Sequence, residues 1–190
     1  MSNAIEIEAK ALVTQDEYRT LVKAFPSAER YIQTNYYIDT DARTLAAAGV
    51  ALRIREKAGQ YELTVKTPLS QGLLEKNIVI TMNEFCALRD FGEFPKCDIK
   101  RFLTMLDFNV EELKILTSLS TERIDQEYEG GLLSIDRNSY SGKVDFEVEF
   151  EYNNLEGAKK ILQAFLESHG CKCVFSNQSK TQRAMAAIGK

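Results

Sequence analysis

No apolar run in the chain approaches the roughly 18 residues that a membrane span needs. The opening Met1-Ser2-Asn3-Ala4 carries neither a basic segment nor an apolar one, so no secretory leader is expected. The four cysteines, Cys86, Cys97, Cys171 and Cys173, lack the paired spacing of a zinc site. Cys171-Lys172-Cys173 has no histidine pair nearby, and reduced thiols in a cytoplasmic protein are the expectation. The single histidine, His169, precedes Gly170 at a predicted helix end, where capping is its expected role rather than catalysis. There is no GxxxxGK(S/T) loop, which removes the P-loop class, and no GxSxG or Cys/His nucleophile set. The net charge of −4 argues against a nucleic-acid binder with a broad basic surface, but leaves room for a local basic pocket.

What the chain does have is charge placed at the period of a strand. Its 190 residues, 44% hydrophobic and 27% charged, suit one globular domain with a substantial core. Ile5-Glu6-Ile7-Glu8-Ala9-Lys10 alternates apolar and charged side chains, giving two unlike faces. The alternation returns in Leu52-Arg53-Ile54-Arg55, in Glu62 to Lys66 and in Asp145 to Glu151. Further strands are predicted over 33–40, 50–57, 60–67, 73–82, 121–129, 132–137 and 171–176, with hairpin turns at Ala58-Gly59 and Gly130-Gly131. Thr14-Gln15-Asp16-Glu17 reads as a capping box that starts a helix. Helices are also expected from Asn153 to Gly170 and from Ser179 to Ile188, and two or three short ones in an insertion at about 83–118.

About eight mostly antiparallel strands, with helices carrying one-sided apolar stripes, define an α+β protein. The helices cover the apolar strand faces, so the charged faces point away from them. If the sheet closes, those charges line its interior. Burying them is prohibitive unless opposite charges, water and a ligand compensate. The cations Arg53, Arg55, Lys66 and Arg123 suit a chain of phosphates, because guanidinium forks and ammonium groups match phosphate oxygens. The carboxylates Glu6, Glu8, Glu75, Asp136, Glu147 and Glu149 suit Mg²⁺ or Mn²⁺, which prefer hard oxygen ligands. A Glu-x-Glu pair places both carboxylates on one side of a strand, about 7 Å apart. Asp145 and Glu151 extend the same face and are expected nearer its rims.

Glu6-x-Glu8-x-Lys10, Arg53-x-Arg55, Lys66, Arg123, Asp136 and Glu147-x-Glu149, in this order, resemble the CYTH superfamily of triphosphate tunnel metalloenzymes. The resemblance runs from Ile5 to Arg183. It implies a single domain over 1–190, built as an eight-stranded antiparallel closed barrel with a charged tunnel and helices outside. By position it implies that Lys10, Arg53, Arg55, Lys66 and Arg123 grip phosphates. Glu6, Glu8, Glu147 and Glu149 would hold Mg²⁺ or Mn²⁺, with Glu75 and Asp136 in support. The catalytic set would be Glu6, Glu8, Lys10, Glu147 and Glu149. Lys180 and Arg183 match a basic C-terminal element that reaches substrate. Leu73-x-Glu75-x-Asn77 stands where the family often has Arg-x-Glu-x-Glu. The implied activity is metal-dependent hydrolysis of tripolyphosphate first, then of nucleoside or thiamine triphosphates. A class IV adenylyl cyclase and a non-catalytic phosphate-binding module are the alternatives. The expected partner is a small-molecule triphosphate, with no nucleic acid and no membrane, and a homodimer is left open.

Overall fold

A computed structural model describes the backbone of residues 2–68 and 73–188, and the side chains of residues 7–68 and 73–188. Among these the chain runs β1 (Ser2–Glu6), β2 (Glu8–Val13), α1 (Gln15–Ala24), β3 (Arg30–Asp39), α2 (Thr44–Ala47), β4 (Ala51–Lys57), β5 (Gln60–Pro68) and β6 (Leu73–Ile80). It continues through α3 (Met82–Phe91), α4 (Asp98–Met105), β7 (Lys114–Tyr128), β8 (Gly131–Tyr140), β9 (Lys143–Glu151), α5 (Leu155–Ser168) and α6 (Lys180–Ala186). The strands form one antiparallel sheet in the order β1-β6-β5-β4-β3-β7-β8-β9-β2. The α+β class is as expected. The count is nine rather than eight, because the N-terminal stretch is interrupted at Ile7. The order has two ends, β1 and β2, so a closed ring is not part of the described sheet.

Two compact units share the chain. One comprises Ile7–Gln33 and Ser120–Arg183, and the other includes β1, Thr34–Leu119 and the residues from Ala184. In the first of these, β2, β9, β8 and β7 pair in register, Lys10 opposite Glu149 and Glu149 opposite Ser134. The strand period sends Ala9, Ala11, Ile135, Val148 and Phe150 to one face, and they pack there against helical stripes. Those stripes are Tyr18, Leu21 and Val22 of α1 with Ala158, Leu162, Phe165 and Leu166 of α5. Each fully buried aliphatic or aromatic side chain contributes about 1.5–3 kcal/mol. The Thr14 cap is as predicted. Glu17 N–H donates to Thr14 Oγ1 at 3.3 Å and Thr14 N–H to Glu17 Oε2 at 2.7 Å. His169 is the C-cap residue of α5, its Nδ1 lying 2.8 Å from the Phe165 carbonyl oxygen, and Gly170 follows at φ +70°.

In the other unit Leu52, Ile54, Leu63, Val65 and Ile80 form the apolar strand face, covered by Phe85 and Leu88 of α3 and Ile99 and Leu103 of α4. Asp39 ends β3 as a buried carboxylate that accepts N–H groups from Leu45 at 3.0 Å and Ala46 at 3.1 Å, tying down α2.

Three predicted boundaries are corrected. The helical insertion ends with a 3-10 turn at Val110–Glu112, and β7 begins at Lys114 rather than Thr121. The hairpin turn is Glu129-Gly130, with φ of 46° and 75°, and Gly131 already belongs to β8. Cys171 to Ser176 is not a strand; it makes one bridge, Phe175 to Ala11. All four cysteines are free thiols. No helix among the described residues is long and apolar enough to cross a membrane.

Candidate active site

Antiparallel register assembles the first half of the site. Arg123, Asp136, Glu147 and Leu12 form one cross-strand row; Asp125, Ser134, Glu149 and Lys10 form the next. All of these side chains stand on the face opposite the α1 and α5 core, because their strand neighbours fill that core. Asp136 and Glu147 have no solvent exposure. Together with Glu149 they offer three carboxylate oxygens within 4.8 Å of one another.

The cations of this unit interleave with the acids. Arg123 grips Asp136 with both arms of its fork, Nε to Oδ1 at 2.7 Å and Nη2 to Oδ2 at 2.6 Å, and Nη2 also reaches Glu149 Oε2 at 2.7 Å. Lys180 Nζ lies 2.8 Å from Asp136, 2.5 Å from Glu147 and 2.6 Å from Glu149. Arg183 spans Glu147 at 2.6 Å and Asp145 at 3.0 Å. Lys10 pairs with Glu8 and lies 3.8 Å from Glu149. Behind these, Asp125 accepts from Tyr31 and from Ser134 at 2.6 Å, and lies 3.9 Å from Arg123. Asp145 accepts from Asn138 at 3.0 Å and Tyr140 at 2.6 Å.

The protonation balance follows from this geometry. Burial pushes the Glu147 carboxyl up to about 7, and the neighbouring Glu149 adds to the effect against the pull of Lys180 and Arg183. Burial also acts on Glu149, but Lys180, Arg123 and Lys10 outweigh it and hold that carboxyl well below the usual range. Lys180 is desolvated too, and its three carboxylates more than compensate, keeping it protonated.

The other unit holds a second charged row. Lys66 Nζ meets Glu75 Oε2 at 2.8 Å, as the cross-strand register of β5 and β6 dictates. Asn77 donates to Glu75 Oε1 at 2.9 Å and accepts from Thr64 at 2.7 Å. Arg55 Nε lies 3.4 Å from Asn35 Oδ1. Arg53 Nε is buried and has no hydrogen-bond partner among the described residues.

The predicted residues are thus distributed over two clusters. Lys10, Glu8, Arg123, Asp136, Glu147, Glu149, Lys180 and Arg183 form one network; Arg53, Arg55, Lys66 and Glu75 belong to the other unit. Glu6 ends β1, and its side chain lies outside the described residues. Asp136, expected only in support, is a full member of the carboxylate triad. Asp145, near the start of β9 and more exposed than Glu147, is tied to the network by Arg183. Asp125 and Tyr31 were not anticipated. The only sequence signal for Asp125 was its position two residues from Arg123, on the same strand face.

The site lies on the face of an antiparallel sheet opposite its helix-covered apolar face, and consists of interlocked carboxylates, lysines and arginines with three carboxylate oxygens close enough to hold a metal ion. The chain belongs to the CYTH domain family, whose model matches residues 4–184. It is 35% identical over 173 residues to "Putative triphosphatase YjbK" of Bacillus subtilis (strain 168), covering 87% of this chain and 88% of that one. It is similar to the crystal structure of a "putative adenylate cyclase" from Bacillus halodurans at 34% identity and a TM-score of 0.88, over 96% of this chain and 98% of that one. HpAC1 from Hippeastrum shares the fold at 23% identity and a TM-score of 0.78, over 96% of each chain.

Proposed function

We propose that the protein hydrolyses a triphosphate with the help of Mg²⁺ or Mn²⁺, inorganic tripolyphosphate before nucleoside or thiamine triphosphates. The observation that carries this reading is the triad of Asp136, Glu147 and Glu149, two of them fully buried, embedded among four cations. All three donors are hard oxygens, which fits Mg²⁺ or Mn²⁺ and not a soft or imidazole-seeking metal. Ligands around such an ion stand about 3–4 Å apart, so oxygens within 4.8 Å need only a small inward adjustment. When bound, the ion would offset negative charge on phosphoryl oxygens.

The chain's own groups supply the rest. Arg123 is fixed by Asp136 and Glu149 and presents a rigid fork; Lys10 and Lys180 provide compact charges. On the family pattern Arg53, Arg55 and Lys66 of the other unit are proposed as further phosphate donors, and Arg53 Nε has no hydrogen-bond partner among the described residues. Glu8 is the carboxylate proposed to orient a water and accept its proton, and Glu6 joins it on the family pattern. Family membership and the name of the Bacillus subtilis relative support hydrolysis.

The name of the Bacillus halodurans relative favours a second reading, cyclisation of ATP. The purified protein, given tripolyphosphate, thiamine triphosphate or ATP with Mg²⁺ or Mn²⁺, distinguishes the readings. Released phosphate supports hydrolysis and cyclic AMP supports cyclisation. Tight substrate binding without either product replaces both with a binding module.

A further inference from the structure

Lys180, the first residue of α6, places its ammonium among the same three carboxylates that could hold a metal ion. Its Nζ is 2.8 Å from Asp136 Oδ2, 2.5 Å from Glu147 Oε1 and 2.6 Å from Glu149 Oε1. The ammonium donates to Glu147 Oε1, and Asp136 and Glu149 lie within ion-pair distance of it, so all three carboxylates are compensated by one charge. The triad is therefore already served by a cation from the chain itself. A divalent ion takes its oxygen ligands at about 2.1 Å, leaving no room for an ammonium on the same oxygens, and two cations so close repel strongly where water is scarce.

We propose that Lys180 is the resident cation of this site, and that a divalent metal enters only by displacing it from Asp136, Glu147 and Glu149. The proposal rests on the metal-dependent reading above in taking the triad as the metal site. Among the neighbouring cations Lys180 is the one suited to leave. Arg123 holds Asp136 with two parallel hydrogen bonds and Glu149 with a third, from a planar group that cannot pivot away singly. Lysine carries its charge on a flexible four-carbon stem. Arg183, one helical turn on, stays tied to Asp145 and Glu147, so α6 remains anchored while the Lys180 side chain swings. The displaced ammonium then has its donors free beside the metal, where phosphate oxygens would meet it. Metal and substrate binding are in this way coupled through a single side chain: the ion exposes the lysine that the phosphate needs.

Calorimetric titration of chelator-treated protein with MgCl₂ and MnCl₂, without substrate, tests the exchange in wild type, Lys180→Met and Lys10→Met. Lys180→Met is expected to bind metal at least about tenfold more tightly than wild type. Lys10→Met removes the same charge 3.8 Å from Glu149 without vacating the triad, and is expected to gain less than about threefold. Equal gains in the two variants reduce the effect to general electrostatics and overturn the exchange. So does unchanged or weaker binding by Lys180→Met. Metal binding by none of the three proteins overturns the metal-dependent reading itself. Because Lys180→Met leaves three acids short of a cation and its folding is at risk, a second measurement uses wild type. In lysine-labelled protein the ammonium resonance of Lys180, assigned by its loss in Lys180→Arg, is expected to shift on adding Mg²⁺. A resonance that stays in place while Mg²⁺ binds rules the exchange out.

Discussion

At the residue scale, charge decides what each side chain can do. Glu147 has no exposure, is flanked by Lys180 and Arg183, and is the carboxylate whose protonation is pushed up by burial. Glu147→Gln keeps the shape and removes a metal ligand. Metal-dependent turnover of the best substrate is expected to fall by about 100-fold or more, while urea unfolding shows a loss of about 1–3 kcal/mol from the two cations left less compensated. Turnover within a few-fold of wild type counts against the triad as the metal site. Glu75 behaves in the opposite sense. Burial works against its ionisation, but the Lys66 ion pair, Arg53 and Asn77 overcome that and draw its carboxyl from 4.5 down to about 2. A depressed value in the folded state gives a contribution fully present above about pH 4.5 and lost as the pH falls toward 2. Discounted for solvent screening, it is on the order of 1 kcal/mol. Unfolding free energies at pH 7 and pH 3 are therefore expected to drop by about that much more in wild type than in Glu75→Gln; equal drops refute the assignment. The chemical type of these residues was legible because the strand period sorts charged from apolar positions. Which acid meets which cation was not, because Arg123 and Asp136 or Lys180 and Glu147 are brought together by register and chain return, which no local pattern encodes.

At the element scale, local chemistry and long-range pairing divide the work. The α1 capping box, the apolar stripe of α5 and the β4–β5 hairpin at Ala58-Gly59 lie where the sequence places them, since each is decided within a few residues. The start of β7 was missed because Lys114 to Ser120 lacks strict alternation and follows a helical stretch, so pairing rather than pattern makes it a strand. The last predicted strand failed for the reverse reason: Cys171 to Ser176 looks strand-like, but only one bridge forms. The β7–β8 hairpin contains a close approach that invites a test. A Cβ on Gly131 would lie 2.4 Å from the Glu151 carbonyl oxygen and 2.5 Å from Phe150 Cζ, and the first of these is backbone that cannot step aside. Gly131→Ala is expected to destabilise by about 1–3 kcal/mol, as overpacking does. Gly142→Ala is the comparison: a Cβ there meets nothing within 4 Å, so its cost comes only from φ of 73°. Equal midpoint shifts for the two variants in thermal unfolding mean that the contact at Gly131 relaxes freely.

At the scale of the whole molecule, the question is how a chain with a net charge of −4 folds around so many ionised groups before any ligand arrives. The network in the unit of β2, β7, β8 and β9 answers it. Asp136, Glu147 and Glu149 are neutralised by Lys180, Arg123, Arg183 and Lys10, all supplied by the chain. A structural metal site has no such internal substitute, and its chain unfolds when the ion is removed. Here folding and metal binding are expected to be separable. Chelation should leave the far-UV circular dichroism spectrum unchanged. Saturating Mg²⁺ should add only what mass action allows, about 2.7 kcal/mol at a hundredfold excess over Kd. Removing two of the chain's own cations should join the two processes. Lys180→Met combined with Arg123→Met leaves buried carboxylates unpaired, a loss of several kcal/mol in chelator, and a divalent ion can restore part of it. The double variant is thus expected to show a much larger Mg²⁺-dependent rise in unfolding midpoint than wild type. If chelation alone unfolds the wild type, the chain's cations do not suffice and the ion is part of the fold. If the double variant gains no more from Mg²⁺ than wild type does, those two cations are not what stands in for the metal.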